Sequence, residues 1–166
     1  MESNIKIFIS YANEDYEIAK RLYDDLKASG IMPWLDKENI LPGQNWKDEI
    51  NKAIKNSSHF LMLLSSNSVS KRGYVQKEKM IALELLDEIP IGNIYVIPVR
   101  LDGSKPVDEK LQNLQWVDLF PSYNTGLKQI IRALKPDEEV NDDIEFVNRH
   151  NEIQFITNIY CPLPVN

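Results

Sequence analysis

Short, almost wholly apolar runs alternate along this chain with longer stretches whose apolar residues recur every three or four positions. The first kind reads as strands buried on both faces, the second as amphipathic helices. Ile5–Ser10 (IKIFIS) is β-branched, aromatic and apolar, a first strand. The stretch after it places Ile18, Ala19, Leu22, Tyr23 and Leu26 on one helical face, with Asn13 as the expected N-cap and Gly30 at the C-terminal cap. IMPWLD is a short second strand that Pro33 confines to an edge or a strand start. KENILPGQN reads as a loop turning at Pro42-Gly43. In the next helix Trp46, Ile50, Ala53 and Ile54 share a face, and Trp46 serves as its apolar anchor. SSHFLMLLSS is a third strand ending in Ser65 and Ser66, and SKRGYVQKEKMIALELL a third helix. IYVIPVRL is a fourth strand, LQWVDLF holds a short fifth, and Gly126–Leu134 is a last helix.

The order β-α-β-α-β-α-β, followed by β-α, implies parallel strands joined by right-handed crossovers. The fold class expected is α/β: a flavodoxin-like three-layer sandwich with a five-stranded parallel sheet of order 2-1-3-4-5 and helices on both faces. Strand order reverses between strands 1 and 3, so a crevice opens at their C-terminal ends. Ser10, Tyr11 and Ala12 line it after strand 1, and the residues from Ser65 to Glu78 after strand 3. The loop from Asp36 to Trp46 is long enough to fold over it. Glu78 stands out because it lies one helical turn after Tyr74, at the edge of the apolar face formed with Ile81, Ala82 and Leu85. Topology alone brings this carboxylate near the crevice, where it is either a solvated boundary residue or a catalytic group.

The domain is expected to span residues 1–135. After it, KPDEEVNDDIE is polar and acidic and reads as a linker. The extension through residue 166 regains apolar residues but is too short for its own core. It either packs back on the domain or begins a second, truncated module.

Composition narrows the chemistry. In 166 residues the net charge is −6, which disfavours a nucleic-acid groove or an anionic-membrane surface. The single cysteine, Cys161, makes no internal disulfide, and no apolar run is long enough for a membrane span, so a soluble cytoplasmic protein is expected. There is no P-loop, GxGxxG, CxxC or HExxH pattern, and no metal is expected. His59 and His150 lie far apart, and His59 falls at the end of strand 3 opposite the crevice.

Four segments together resemble the Toll/interleukin-receptor (TIR) family, in order and over residues 4–135. KIFISYANED resembles its first signature. WLDKENILPGQNWKDEINKAIKNSSHFLMLLS resembles the loop and strand that follow, SKRGYVQKE the segment with the catalytic glutamate of TIR enzymes, and IYVIPVRLD the fourth strand. The resemblance to the bacterial-type members implies an enzyme that cleaves NAD and releases nicotinamide, as a hydrolase or a cyclase, within antiviral immune signalling. It makes Glu78 the catalytic residue. Ser10, Tyr11, Ala12, Asp36, Gly43, Trp46, Ser66 and Tyr74 become substrate-binding residues. Tyr74 stands where the family more often has tryptophan, and either Asn45 or Trp46 is in place for the contact to nicotinamide. NAD is a substrate, so no cofactor is implied, and the expected partners are other TIR domains through self-association. The alternative the resemblance allows is a non-enzymatic adaptor or scaffold.

The chemistry fits one carboxylate. Breaking the nicotinamide–ribose bond builds positive charge on the sugar, which a nearby carboxylate stabilises. The leaving group is a neutral pyridine and needs no acid.

Overall fold

The structure, a computed structural model, describes residues 5–70, 95–107 and 109–137. Its centre is a parallel sheet of β1 (Lys6–Ser10), β2 (Met32–Trp34), β3 (His59–Leu64), β4 (Val96–Arg100) and β5 (Val117–Asp118), in the order β2-β1-β3-β4-β5. The helices are α1 (Tyr16–Ala28), α2 (Asp36–Asn39), α3 (Trp46–Asn56), α4 (Ser66–Ser70), α5 (Glu109–Gln112) and α6 (Tyr123–Leu134). Architecture and strand order are those expected from the sequence. The registers Phe8↔Phe60 and Met62↔Pro98 align the C-terminal ends of the central strands along one rim.

The alternation of side chains along a strand divides the core in two. Ile7, Ile9, Leu61, Leu63, Ile97 and Val99 face α1 and α6, joining Leu22, Leu26, Leu127 and Ile131. Phe8, Phe60, Met62, Leu64 and Val96 form the other cluster with Ile50 and Ile54 of α3. There Phe8 stacks between Trp34 and Phe60, at 4.9 and 5.1 Å. Each such buried side chain stabilises the fold by about 1.5–3 kcal/mol relative to exposure.

Several elements depart from the sequence expectation. The helix after β1 is entered through a 3-10 turn, Asn13–Asp15, and Asn13 makes no side-chain cap. The loop after β2 opens with a helical turn, α2, because Leu35 N donates to Asn39 Oδ1 and closes it. Trp46 is not an apolar anchor: it is 45% exposed, while Ile50 and Ile54 carry the buried face. The last helix starts at Tyr123, ahead of Gly126, because Ser122 caps it through Thr125 N at 3.3 Å. Gly126 is a contact residue within that helix, since a Cβ there would collide with the carbonyl oxygen of Asp118. Gly30 and Gly43 have φ of 76° and 89°, the left-handed geometry expected of a helix cap and a turn.

The segment after Ser70 that holds Tyr74 and Glu78 lies outside the described residues, as does the extension beyond Asp137 with His150 and Cys161. No helix among the described residues is long and apolar enough to cross a membrane. Nor do three potential metal ligands cluster among them.

Candidate functional site

The rim formed by the C-terminal ends of β1 and β3 gathers the polar groups. Ser10 ends β1 and is 2% exposed, and its hydroxyl has no partner among the described residues. A buried hydroxyl without a partner costs about 1–3 kcal/mol, so its retention here needs a reason beyond packing. Tyr11 and Ala12 follow, both buried. The Tyr11 hydroxyl reaches across to the loop after β2 and donates to Asp36 Oδ1 at 2.6 Å.

That loop is held to the rim at its first turn. Besides the Tyr11–Asp36 bond, Tyr16 donates to Glu38 Oε1 at 2.6 Å, Lys20 lies 3.7 Å from the other Glu38 oxygen, and the Lys37 ammonium sits 4.4 Å over the Tyr16 ring. The bond to Glu38 raises the Tyr16 pKa above its usual value, with burial adding to it. Beyond α2 the chain turns at Gly43, where a side chain would meet open space, and Leu41 is 64% exposed. Asn45 then caps α3, its Oδ1 accepting from Lys47 N and Asp48 N at 3.1 and 3.4 Å. Of the two residues the sequence left open for a ring contact, Asn45 is therefore occupied by its own helix, and Trp46 presents an exposed ring.

The turn after β3 is the most densely bonded part of the rim. Ser65 is buried and donates through Oγ to Asp15 Oδ2, and Asn67 Nδ2 donates to Asp15 Oδ1 at 3.0 Å. Ser65 N donates to Ser68 Oγ at 2.8 Å, and Ser68 N to Ser65 Oγ at 3.2 Å. From the β4 side, Asp102 accepts from Ser66 N at 2.8 Å and from Ser104 N at 2.9 Å. The Ser104 side chain first, then these backbone bonds, lower the Asp102 carboxyl to about 2. The backbone N–H groups of Ser65 and Ser66 are thus committed to side chains, and Ser66 itself stands exposed at the rim. In the sequence Asp15 is simply an acidic residue beside a helix N-terminus, where a carboxylate suits the helix dipole. Its tie to Ser65 carried no sequence signal, because 50 residues separate the two.

The sequence placed Ser10, Tyr11, Ala12 and Ser66 on one rim with the Asp36–Trp46 loop folding over it; the structure brings those four to one rim and ties Asp36 to it through Tyr11. Gly43 and Trp46 lie on the adjoining loop. A cavity of about 450 Å³ opens at the far edge of the sheet between β5 and α6, lined by Trp116, Asp118, Phe120, Ser122, Thr125 and Gln129. Arg100 forms a two-pronged ion pair with Asp118 there, at 2.6 and 2.8 Å, and lies over the Trp116 ring at 4.8 Å. This edge, at β5 and two strands beyond β3, stands apart from the rim.

A family model described as the TIR domain matches residues 7–131. An uncharacterized protein of Sinorhizobium fredii, y4cD, is 27% identical over 158 residues, covering 90% of this chain and 24% of that protein. A probable 2′ cyclic ADP-D-ribose synthase of Methanobrevibacter olleyae, TcpO, is 29% identical over 107 residues, covering 61% of this chain and 31% of that protein. The chain thus spans between a quarter and a third of the length of these curated relatives. Among solved structures, the TIR domain of the Toll-related receptor TRR-2 from Hydra magnipapillata superposes with a TM-score of 0.62 at 22% identity, covering 78% of this chain and 97% of that domain.

Proposed function

The chain belongs to the TIR-domain family, and from that premise we propose that it consumes NAD, breaking the bond between nicotinamide and ribose as a hydrolase or a cyclase. The observation that carries this reading is the likeness to a probable 2′ cyclic ADP-D-ribose synthase. The rim geometry supports it. Ser10 offers a buried hydroxyl without a partner among the described residues at the switch point, suited to a phosphate oxygen or a ribose hydroxyl. Trp46 and the Asp36–Gly43 loop border the same crevice.

Glu78 is the catalytic residue in this proposal. As the glycosidic bond lengthens, positive charge grows on the ribose, and the carboxylate of Glu78 stabilises it. Nicotinamide departs as a neutral ring with the bonding electrons. Water then adds to the sugar in the hydrolase, or a hydroxyl of the same molecule in the cyclase, and gives up its proton. Tyr74, Tyr11 and Ala12 shape the wall for the rings.

Self-association belongs to this reading, because the loop that borders the crevice holds Leu41 and Trp46 out to solvent, where a second copy can cover them. In a cell, the reaction would drain NAD or yield an ADP-ribose signal, as suits an effector of antiviral defence.

The test is nicotinamide release from NAD by concentrated protein, beside Glu78→Ala and Glu78→Gln. The expected loss is on the order of 10²–10³-fold or more in kcat for both variants. A wild-type protein silent at every concentration, including when it is crowded into oligomers, would overturn the reading. Full activity in both variants would move catalysis away from Glu78.

A further inference from the structure

Asp15 does something its position in the chain does not ask of it. It sits where the 3-10 turn runs into α1, and an acidic side chain there ordinarily bonds its own helix N-terminus. Here Asp15 makes no such cap. Its two carboxylate oxygens instead accept from Ser65 Oγ and from Asn67 Nδ2, the latter at 3.0 Å, across the line where strand order reverses. A local cap is forgone for a long-range tie, the kind of conflict between local rule and fold that marks a functional position.

The consequences for Ser65 are specific. Its hydroxyl proton goes to Asp15, and its oxygen also accepts from Ser68 N at 3.2 Å. Ser65 is thereby withdrawn from the crevice, which leaves Ser10 as the rim hydroxyl without a partner among the described residues. The turn after β3 is also gripped from its other side, where Ser66 N donates to Asp102 at 2.8 Å.

We propose that Asp15 is a positioning residue: its carboxylate ties the turn after β1 to the turn after β3 and so sets the width of the crevice mouth in which Ser10 lies. As a statement about catalysis it rests on the NAD-cleaving reading, whereas the tie itself does not.

The pair Asp15 and Asn67 permits a test by exchange. In Asp15→Asn both bonds lose their charge, and Asn67 must turn its amide to keep a weaker, neutral one. In Asn67→Asp two carboxylates oppose. In the double variant the direction of the bond is reversed: the new amide at 15 accepts from Ser65 and donates to the new carboxylate at 67. Backbone amide exchange at Ser68 and Val69, whose N–H groups both bond to Ser65, reads the tie without any substrate. The single variants are expected to speed exchange at both amides about tenfold or more, and the double variant to return it toward the wild-type rate. In parallel, kcat/KM for NAD is expected to fall on the order of 10²-fold in the single variants, through KM and kcat together, and to recover in the double variant. Unchanged exchange in the single variants, or no recovery in the double variant, overturns the tie. Faster exchange with unchanged kcat/KM overturns the positioning role. A wild type that releases no nicotinamide counts against the NAD reading alone, and the exchange measurement still decides the tie.

Discussion

Ser10 is the residue at which stability and function pull apart. Its buried hydroxyl finds no partner among the described residues, so Ser10→Ala removes an unsatisfied group and leaves only a small void. The melting temperature of Ser10→Ala is expected to stay the same or rise, by the equivalent of up to about 1 kcal/mol, while KM for NAD rises several-fold. A fall in stability with unchanged KM would mean that the hydroxyl serves the fold. Asp102 contributes to acid stability, its carboxyl being drawn down to about 2 by Ser104 and Ser66. A depressed carboxyl stabilises the folded state above its unfolded value, near 3.9, and that contribution is lost as pH falls from there through about 2. Denaturant titrations from pH 5 to 2 should show a shallower loss in Asp102→Asn than in the wild type. His59 adds a loss of the same sign at higher pH: burial lowers its pKa, so the folded state resists protonation. Its contribution is present above the unfolded value near 6.5 and is lost as pH falls below it. Of the rim residues, Ser10, Tyr11 and Ala12 were legible because a strand's end is marked where an apolar run stops. Asp15 was not, because a side-chain bond between distant turns leaves no periodic trace.

At the scale of elements, legibility followed burial. The central strands and the faces of α1, α3 and α6 came through because core contact imposes period 2 or 3.6 on the sequence. Trp46 misled for the same reason, an apolar residue at helical spacing that lies just before the buried face begins. The short α2 was invisible, being a single turn of backbone bonds that is closed by Asn39 Oδ1 accepting from Leu35 N and held by ties to Tyr11, Tyr16 and Lys20. The brevity of β5 has a backbone cause. Leu101 N donates to Leu64 O on one side of β4, and Arg100 O accepts from Leu119 N on the other. By alternation the N of Pro98 faces the β5 side, where it has no hydrogen to give, and β5 pairs only with Val99 and Arg100. The packing of α6 on this edge depends on Gly126. Gly126→Ala should cost about 1–3 kcal/mol, because the added methyl meets backbone at Asp118 and cannot be accommodated by a rotamer. Thermal unfolding of that variant measures it; an unchanged midpoint would mean that α6 shifts freely.

Across the whole molecule, two apolar clusters on opposite faces of one sheet hold rigid the strand ends from which the polar rim is built. The rim is not apolar packing but a set of ties between loops: Tyr11 to Asp36, Asp15 to Ser65 and Asn67, Asp102 to Ser66. If copies must associate for activity, the rate of nicotinamide release should climb more steeply than protein concentration, and Leu41→Ser should flatten that dependence without lowering thermal stability, since Leu41 is 64% exposed. A strictly linear dependence in both proteins would remove self-association from the account. The central claim is that NAD occupies the crevice at the ends of β1 and β3. Backbone amide shifts of the Glu78→Gln protein, recorded as NAD is added to millimolar concentration, test it most directly. The expected result is a set of saturable shifts at Ser10, Tyr11 and Ala12 and along the Asp36–Trp46 loop. Shifts gathered instead around Trp116 and Phe120, or none at all, would contradict it.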